Sequence, residues 1–176
     1  MMVLVFQYGS NCLESEINSN DRLKGKAMFV DIAKTIENYK LDFDVYSEKR
    51  GCAAADIVRT CQNKKVWGVL YSVDDNLICR NTAPKGSKSF DAIEGEGTNY
   101  RRHCLPVSCN RNGLIVMALT YVTLKPRKRV KKTSLKYVQS IIKGLREHNV
   151  PEEYINEVKE IVSNHSPRLA KKIANL

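Results

Sequence analysis

Val3-Leu4-Val5-Phe6-Gln7-Tyr8, followed by Gly9-Ser10-Asn11, reads as a short buried strand ending in a turn. The first six residues are mostly apolar, β-branched or aromatic, and the next three are turn formers. A glycine at a strand end lets backbone N–H groups face one side, and Ser10 and Asn11 add small hydrogen-bonding side chains. Such a nest suits an anion, although a plain turn is the simpler reading of these residues taken alone.

Strand signals continue outward from this stretch. Tyr39-Lys40-Leu41-Asp42-Phe43-Asp44-Val45-Tyr46 alternates apolar and mostly charged residues, as a strand with one wet face does. Gly51-Cys52-Ala53-Ala54-Ala55 reads as small-residue loop, with an edge strand over 56–59, and Val66-Trp67-Gly68-Val69-Leu70-Tyr71 reads as a central strand. Residues 74–89, with Pro84-Lys85-Gly86, read as an insertion. Strand material follows over 100–106 and 114–124, with Asn110-Arg111-Asn112-Gly113 as a hairpin signal between them.

The last third reads as helical. After Thr133 or Ser134 as N-cap, Leu135, Val138, Ile141, Ile142 and Leu145 form one apolar stripe. Pro151 opens a second helix whose first turn carries Glu152 and Glu153, where carboxylates suit the helix dipole. Strands first and helices last define an α+β chain, and 176 residues fit a single domain over 1–176 with a sizeable core.

With 43% hydrophobic and 27% charged residues, the chain is outside the range of disordered sequences. No apolar run approaches the roughly 18–20 residues a membrane helix needs, and the start lacks the features of a secretory signal. A cytoplasmic protein is expected, not bound to a membrane. In that setting Cys12, Cys52, Cys61, Cys79, Cys104 and Cys109 are expected as reduced thiols, and their spacings give no zinc pattern, so no metal is expected. The formal net charge is +10. Much of it falls on Lys125, Arg127, Lys128, Arg129, Lys131 and Lys132 and on the tail at Arg168, Lys171 and Lys172, which raises a basic polyanion-binding or nucleic-acid-binding module as the alternative reading. A solvated loop and helix face is the simpler account of these charges, with nucleic-acid binding weak and non-specific.

Asp91-Ala92-Ile93-Glu94-Gly95 sets a carboxylate beside glycine and apolar neighbours, an environment that raises a glutamate pKa and fits it for proton transfer. Glu96 competes for that role, but two residues along an extended segment it faces the other side. Cys12 has no histidine near it in sequence, so it reads as a structural thiol rather than a nucleophile.

Together these pieces resemble the gamma-glutamylcyclotransferase superfamily. Tyr8-Gly9-Ser10-Asn11 is similar to its Y-G-S-N loop, the 51–57 stretch to its small-residue segment, and Val66-Trp67-Gly68-Val69-Leu70-Tyr71 to its V-W-G-V-x-Y strand. Asp91, Glu94 and Gly95, then Tyr100, match its D-x-x-E-G and Y-x-R pattern. Ala118 to Tyr121, Ser134 with Tyr137, the 142–147 helix and Pro151 to Tyr154 continue the match. Cys52 and Ala53 depart from glycines usual in the family.

The resemblance implies a small mixed β-barrel with flanking helices and a C-terminal helical pair, working without a cofactor. It also implies a cyclotransferase that cleaves a gamma-glutamyl amide by attack of the substrate's own alpha-amine, releasing 5-oxoproline. Glu94 falls on the acid/base position. Tyr8, Gly9, Ser10 and Asn11 fall on the loop that holds the alpha-carboxylate, and Tyr100, Tyr121 and Tyr137 on the cleft tyrosines. The expected partner is a small gamma-glutamyl compound, and the reading leaves room for a homodimer.

Overall fold

The computed structural model describes residues 1–124 and 132–176, so the basic run expected over 125–132 lies outside the described residues except for Lys132. The described strands are β1 (Met2–Gln7), β2 (Met28–Thr35), β3 (Tyr39–Ser47), β4 (Cys52–Arg59), β5 (Trp67–Asp74), β6 (Tyr100–Cys109) and β7 (Ile115–Thr123). The described helices are α1 (Glu14–Ile17), α2 (Phe90–Glu94), α3 (Leu135–Glu147), α4 (Glu152–His165) and α5 (Ala170–Ala174).

Five strands close into a barrel in the order β1-β5-β2-β6-β7, and β3 pairs with β4 as a separate ribbon. All these pairings are antiparallel except the seam, where β1 meets β7 in parallel at Val5 and Leu119. The Thr120 hydroxyl pins that seam by donating to the Phe6 carbonyl at 2.8 Å. This is the expected α+β architecture: a small mixed barrel, flanking helices and a C-terminal helical pair.

The β1 and β5 strands are buried in their middles because each supplies apolar residues on both faces, to the barrel interior and to the helices. Val5, Phe6, Val69, Leu70 and Tyr71 are all fully buried. Outside the barrel, α3 buries Val138, Ile141, Ile142 and Leu145, as its stripe requires, and α4 buries Tyr154, Ile155, Val158 and Val162. Ser134 caps α3 by accepting from the Tyr137 N–H at 3.2 Å. No helix among the described residues is long and apolar enough to cross a membrane.

Two expectations are corrected. Cys52 to Ala55, read as loop, form the first half of β4. The small side chains there let other groups reach the strand backbone: Thr133 Oγ1 donates to Ala53 O at 2.8 Å, and two tyrosine hydroxyls bond to Ala55. The second correction adds β2, which joins β5 to β6 and has a break in register between Phe29 and Asp31 that obscures its alternation.

The approach of α3 to the turn after β1 is the tightest helix contact bearing on the site. A Cβ placed on Gly144 would lie 2.5 Å from the Cys12 carbonyl carbon and closer still to the Leu13 nitrogen. Glycine is required here for space rather than for conformation.

Candidate active site

After β1 the chain makes one turn of 3-10 helix over Ser10–Cys12. Within it the Cys12 N–H donates to Gly9 O at 3.0 Å and the Leu13 N–H to Ser10 O at 3.2 Å. The N–H groups of Ser10 and Asn11 stand at the start of the turn and take no part in its bonding. Gly9 has an extended backbone, φ −103° and ψ −150°. Its missing Cβ matters because that atom would meet the Tyr137 hydroxyl at 3.3 Å.

Glu94 is the last residue of α2. Ser89 starts this short helix by accepting from the Ala92 N–H at 3.2 Å, and Gly95 ends it in the left-handed conformation, φ 71°, which glycine adopts without strain. The local chain is therefore helical, not extended as expected. Glu96 lies beyond the Gly95 turn, where its carbonyl accepts from Arg80 at 2.8 Å.

Asn11 Nδ2 donates to Glu94 Oε1 at 2.7 Å, joining the turn to the carboxylate. Burial pushes the Glu94 carboxyl above its ordinary range, and the opposing pull of Arg22, Asn11 and Arg50 does not cancel it.

Asp91, one helical turn before Glu94, was not singled out as a site residue. It is 2% exposed and accepts from Arg102 Nε at 2.8 Å and from the Tyr121 hydroxyl at 2.9 Å. Burial pushes its carboxyl up, but the bonds from Arg102 and Tyr121 and the charges of Arg102 and Arg80 outweigh that and hold it below its usual value. It stays ionised and anchors α2 to the barrel wall. Phe90 adds a stacked contact on Tyr121, with ring centroids 6.0 Å apart.

The tyrosines are not equivalent. Tyr8 donates its hydroxyl proton to the Tyr121 carbonyl, Tyr100 to the Ala55 carbonyl at 2.9 Å, and Tyr121 to Asp91. Tyr137 instead accepts, from the Ala55 N–H at 3.0 Å, which leaves its own proton available. Burial pushes its pKa up to about 12, so it remains a donor across the physiological range.

Tyr8, Gly9, Ser10, Asn11, Glu94, Tyr100, Tyr121 and Tyr137 all line one cavity of about 40 Å³. Beside it opens a larger space of about 480 Å³ that shares Tyr137 and is walled by Glu16, Asp21, Arg22, Lys49, Arg50 and Lys136. Arg22 donates to Asn11 Oδ1, and Arg50 Nη2 donates to Ser10 Oγ at 2.9 Å. Neither arginine was legible as a site residue, since each lies in a polar stretch with no motif around it.

Behind Tyr8 lies Asp56, buried and bonded to the Thr123 N–H at 2.9 Å. Burial first, and Asp44 nearby, push its pKa up to about 7. The folded protein thus keeps a proton that the unfolded chain releases near pH ~4. Stability contributed here is expected to fall as pH rises from about 4 through about 7 and to level off above. Asp56→Asn, which keeps an acceptor for Thr123, should narrow the loss of melting temperature between pH 5 and 8. An unchanged difference between variant and wild type at every pH would refute the assignment.

The fold is that of the gamma-glutamylcyclotransferase-like superfamily. Within it, the chain belongs to the AIG2-like family, whose profile matches residues 65–158. That stretch holds Glu94, Tyr100, Tyr121 and Tyr137 and leaves out the Tyr8 to Asn11 turn. The chain is 26% identical over 165 residues to the mouse gamma-glutamylcyclotransferase, covering 92% of this chain and 79% of the mouse protein. Among solved structures it is similar to a gamma-glutamyl cyclotransferase, with TM-score 0.75 and 23% identity over 90% of this chain and 87% of that one. It is also similar to an uncharacterized protein from Homo sapiens, with TM-score 0.74 and 24% identity over 90% and 86% of the two chains.

Proposed function

We propose that the protein is a gamma-glutamylcyclotransferase, converting a gamma-glutamyl amide to 5-oxoproline and the freed amine or amino acid. One observation carries this reading: a single carboxylate, Glu94, of raised pKa, sits against Asn11 of the turn in a small tyrosine-lined cavity. The name of the mouse relative supports the same activity.

The chemistry asks little of the protein beyond geometry and proton transfer. The substrate's alpha-amine attacks its own gamma-carbonyl and closes a five-membered lactam, so no protein nucleophile is needed. Holding the folded conformer draws on the advantage of oriented intramolecular reactions, up to roughly 7–11 kcal/mol when alignment is good. The first N–H groups of the turn hold the alpha-carboxylate. Glu94 takes a proton from the alpha-ammonium, and the freed amine attacks. The gamma-carbonyl becomes an oxyanion, for which the available Tyr137 proton is the matching donor. Glu94 then returns its proton to the leaving nitrogen as the carbon–nitrogen bond breaks, and the carboxylate so regenerated takes the second proton from the ring nitrogen, leaving a neutral lactam.

The test is a screen of gamma-glutamyl dipeptides, gamma-glutamylamines and glutathione for 5-oxoproline release. A substrate found in that screen should lose roughly 10–100-fold in kcat/KM when its alpha-carboxylate is removed, the worth of a hydrogen bond to a charged group. Equal rates for the decarboxylated analogue would show that the turn has another role. Release from none of the compounds would sink the enzymatic reading and leave polyanion binding as the alternative.

A further inference from the structure

The 40 Å³ cavity at Glu94 falls far below the roughly 300–1,000 Å³ of ordinary ligand clefts, while the adjoining space of about 480 Å³ lies within that range. The two meet at Tyr137, and Arg22 and Arg50 wall the outer space while bonding to Asn11 and Ser10 of the inner one. A leaving nitrogen at Glu94 therefore carries its substituent out past Tyr137 into the larger space.

The charges around that space do not balance. Lys49 pairs with Asp21 at 3.3 Å. Glu16 alone serves two guanidinium groups, Arg50 at 3.1 Å and Arg22 at 3.3 Å. No ion pair is recorded for Lys136 among the described residues. Taken together, four cations face two carboxylates. Arg22 and Arg50 are also largely removed from water, with side chains 10% and 24% exposed, which strengthens their pull on an anion. Each guanidinium has five N–H donors, so the shared Glu16 leaves donors open to further acceptors. Glu16 also shows that a carboxylate fits between them.

We infer that the outer space is the leaving-group subsite and that it selects gamma-glutamyl compounds whose amine half carries two acidic groups, as an acidic amino acid does. The inference rests on the cyclotransferase reading. One acidic group bridges Arg22 and Arg50 beside Glu16, and the second meets Lys136 at the rim. A neutral amine in the same place would leave the excess positive charge unanswered.

The experiment compares 5-oxoproline release from gamma-glutamyl-glutamate and gamma-glutamyl-glutamine, which differ by one charge and hardly in size. The acidic compound should be favoured by about tenfold in kcat/KM at low salt, as expected for one charge-assisted contact in a partly exposed site. Added salt should narrow the gap. Arg50→Met should bring the ratio close to one. Because Arg50 also packs over the Tyr137 ring, 5.0 Å from its centroid, Lys136→Met on the exposed face of α3 is the second variant, expected to narrow the ratio several-fold with an unchanged melting temperature. Equal rates for the two compounds, or a preference for glutamine, would overturn the inference and leave the cyclotransferase reading standing. If the screen finds no gamma-glutamyl compound that releases 5-oxoproline, the reading beneath it fails instead.

Discussion

Glu94→Gln is expected to lower turnover of a gamma-glutamyl substrate by about 10²–10⁴, the range for loss of a general acid/base, while substrate binding and the melting temperature stay near wild type. Glutamine keeps the acceptor that Asn11 Nδ2 bonds at 2.7 Å, so the turn should hold its position. What it removes is the group whose burial brings its pKa towards neutrality. Glu96→Gln is the contrast, since Glu96 follows the left-handed Gly95 and does not line the cavity; its turnover should stay within a few-fold of wild type. Loss of activity in Glu96→Gln with full activity in Glu94→Gln would exchange the two assignments. Full activity in both would remove the proton-transfer mechanism.

Gly144→Ala should unfold the protein more easily, against the usual rule for a glycine inside a helix. On propensity alone, alanine would stabilise α3 by about 1 kcal/mol. The added Cβ, however, would sit 2.5 Å from the Cys12 carbonyl carbon, and backbone cannot rotate away as a side chain can. Overpacking of this kind costs typically ~1–3 kcal/mol. Taking the upper end less the propensity gain, a net of about 2 kcal/mol, the melting temperature should fall by roughly 4–8 °C for a domain of this size. Activity should fall further than stability accounts for, because the backbone pushed aside leads directly from the Ser10–Cys12 turn. A melting temperature at or above wild type would show that α3 can draw back from the turn at little cost.

Much of the barrel was legible because its strands carry their own signals. Val5-Phe6 ends at a glycine turn, and Val69-Leu70-Tyr71 is too apolar for an edge. The stripe on α3 is a repeating pattern that only packing against the barrel satisfies. What escaped notice is local or long-range in ways a sequence pattern does not record. α2 spans only five residues, too few for helical periodicity to show. β2 alternates poorly across its break in register. The alanines of β4 read as loop because small residues are common in loops, yet their smallness serves to admit Tyr137, Tyr100 and Thr133 to the strand backbone. The cationic wall was hidden by distance along the chain: Arg22 and Arg50 meet only through Glu16, and no spacing rule connects them.

The seam between β1 and β7 bears on how the protein reaches this state. Thr120 and Phe6, whose bond fastens it, are 114 residues apart in the chain. A fold whose closure depends on such separated pairings must first bear the entropy of a long loop, so it folds slowly for its size. The cavity inherits that timing. Its turn lies on one side of the seam, Tyr121 on the other, and Tyr137 arrives only with α3. During synthesis β1 can pair with β5 on one side, but its other edge waits for β7, the last strand. The complete cavity therefore comes late, when the barrel closes and α3 brings Tyr137 to the residues that the strands and α2 have already assembled.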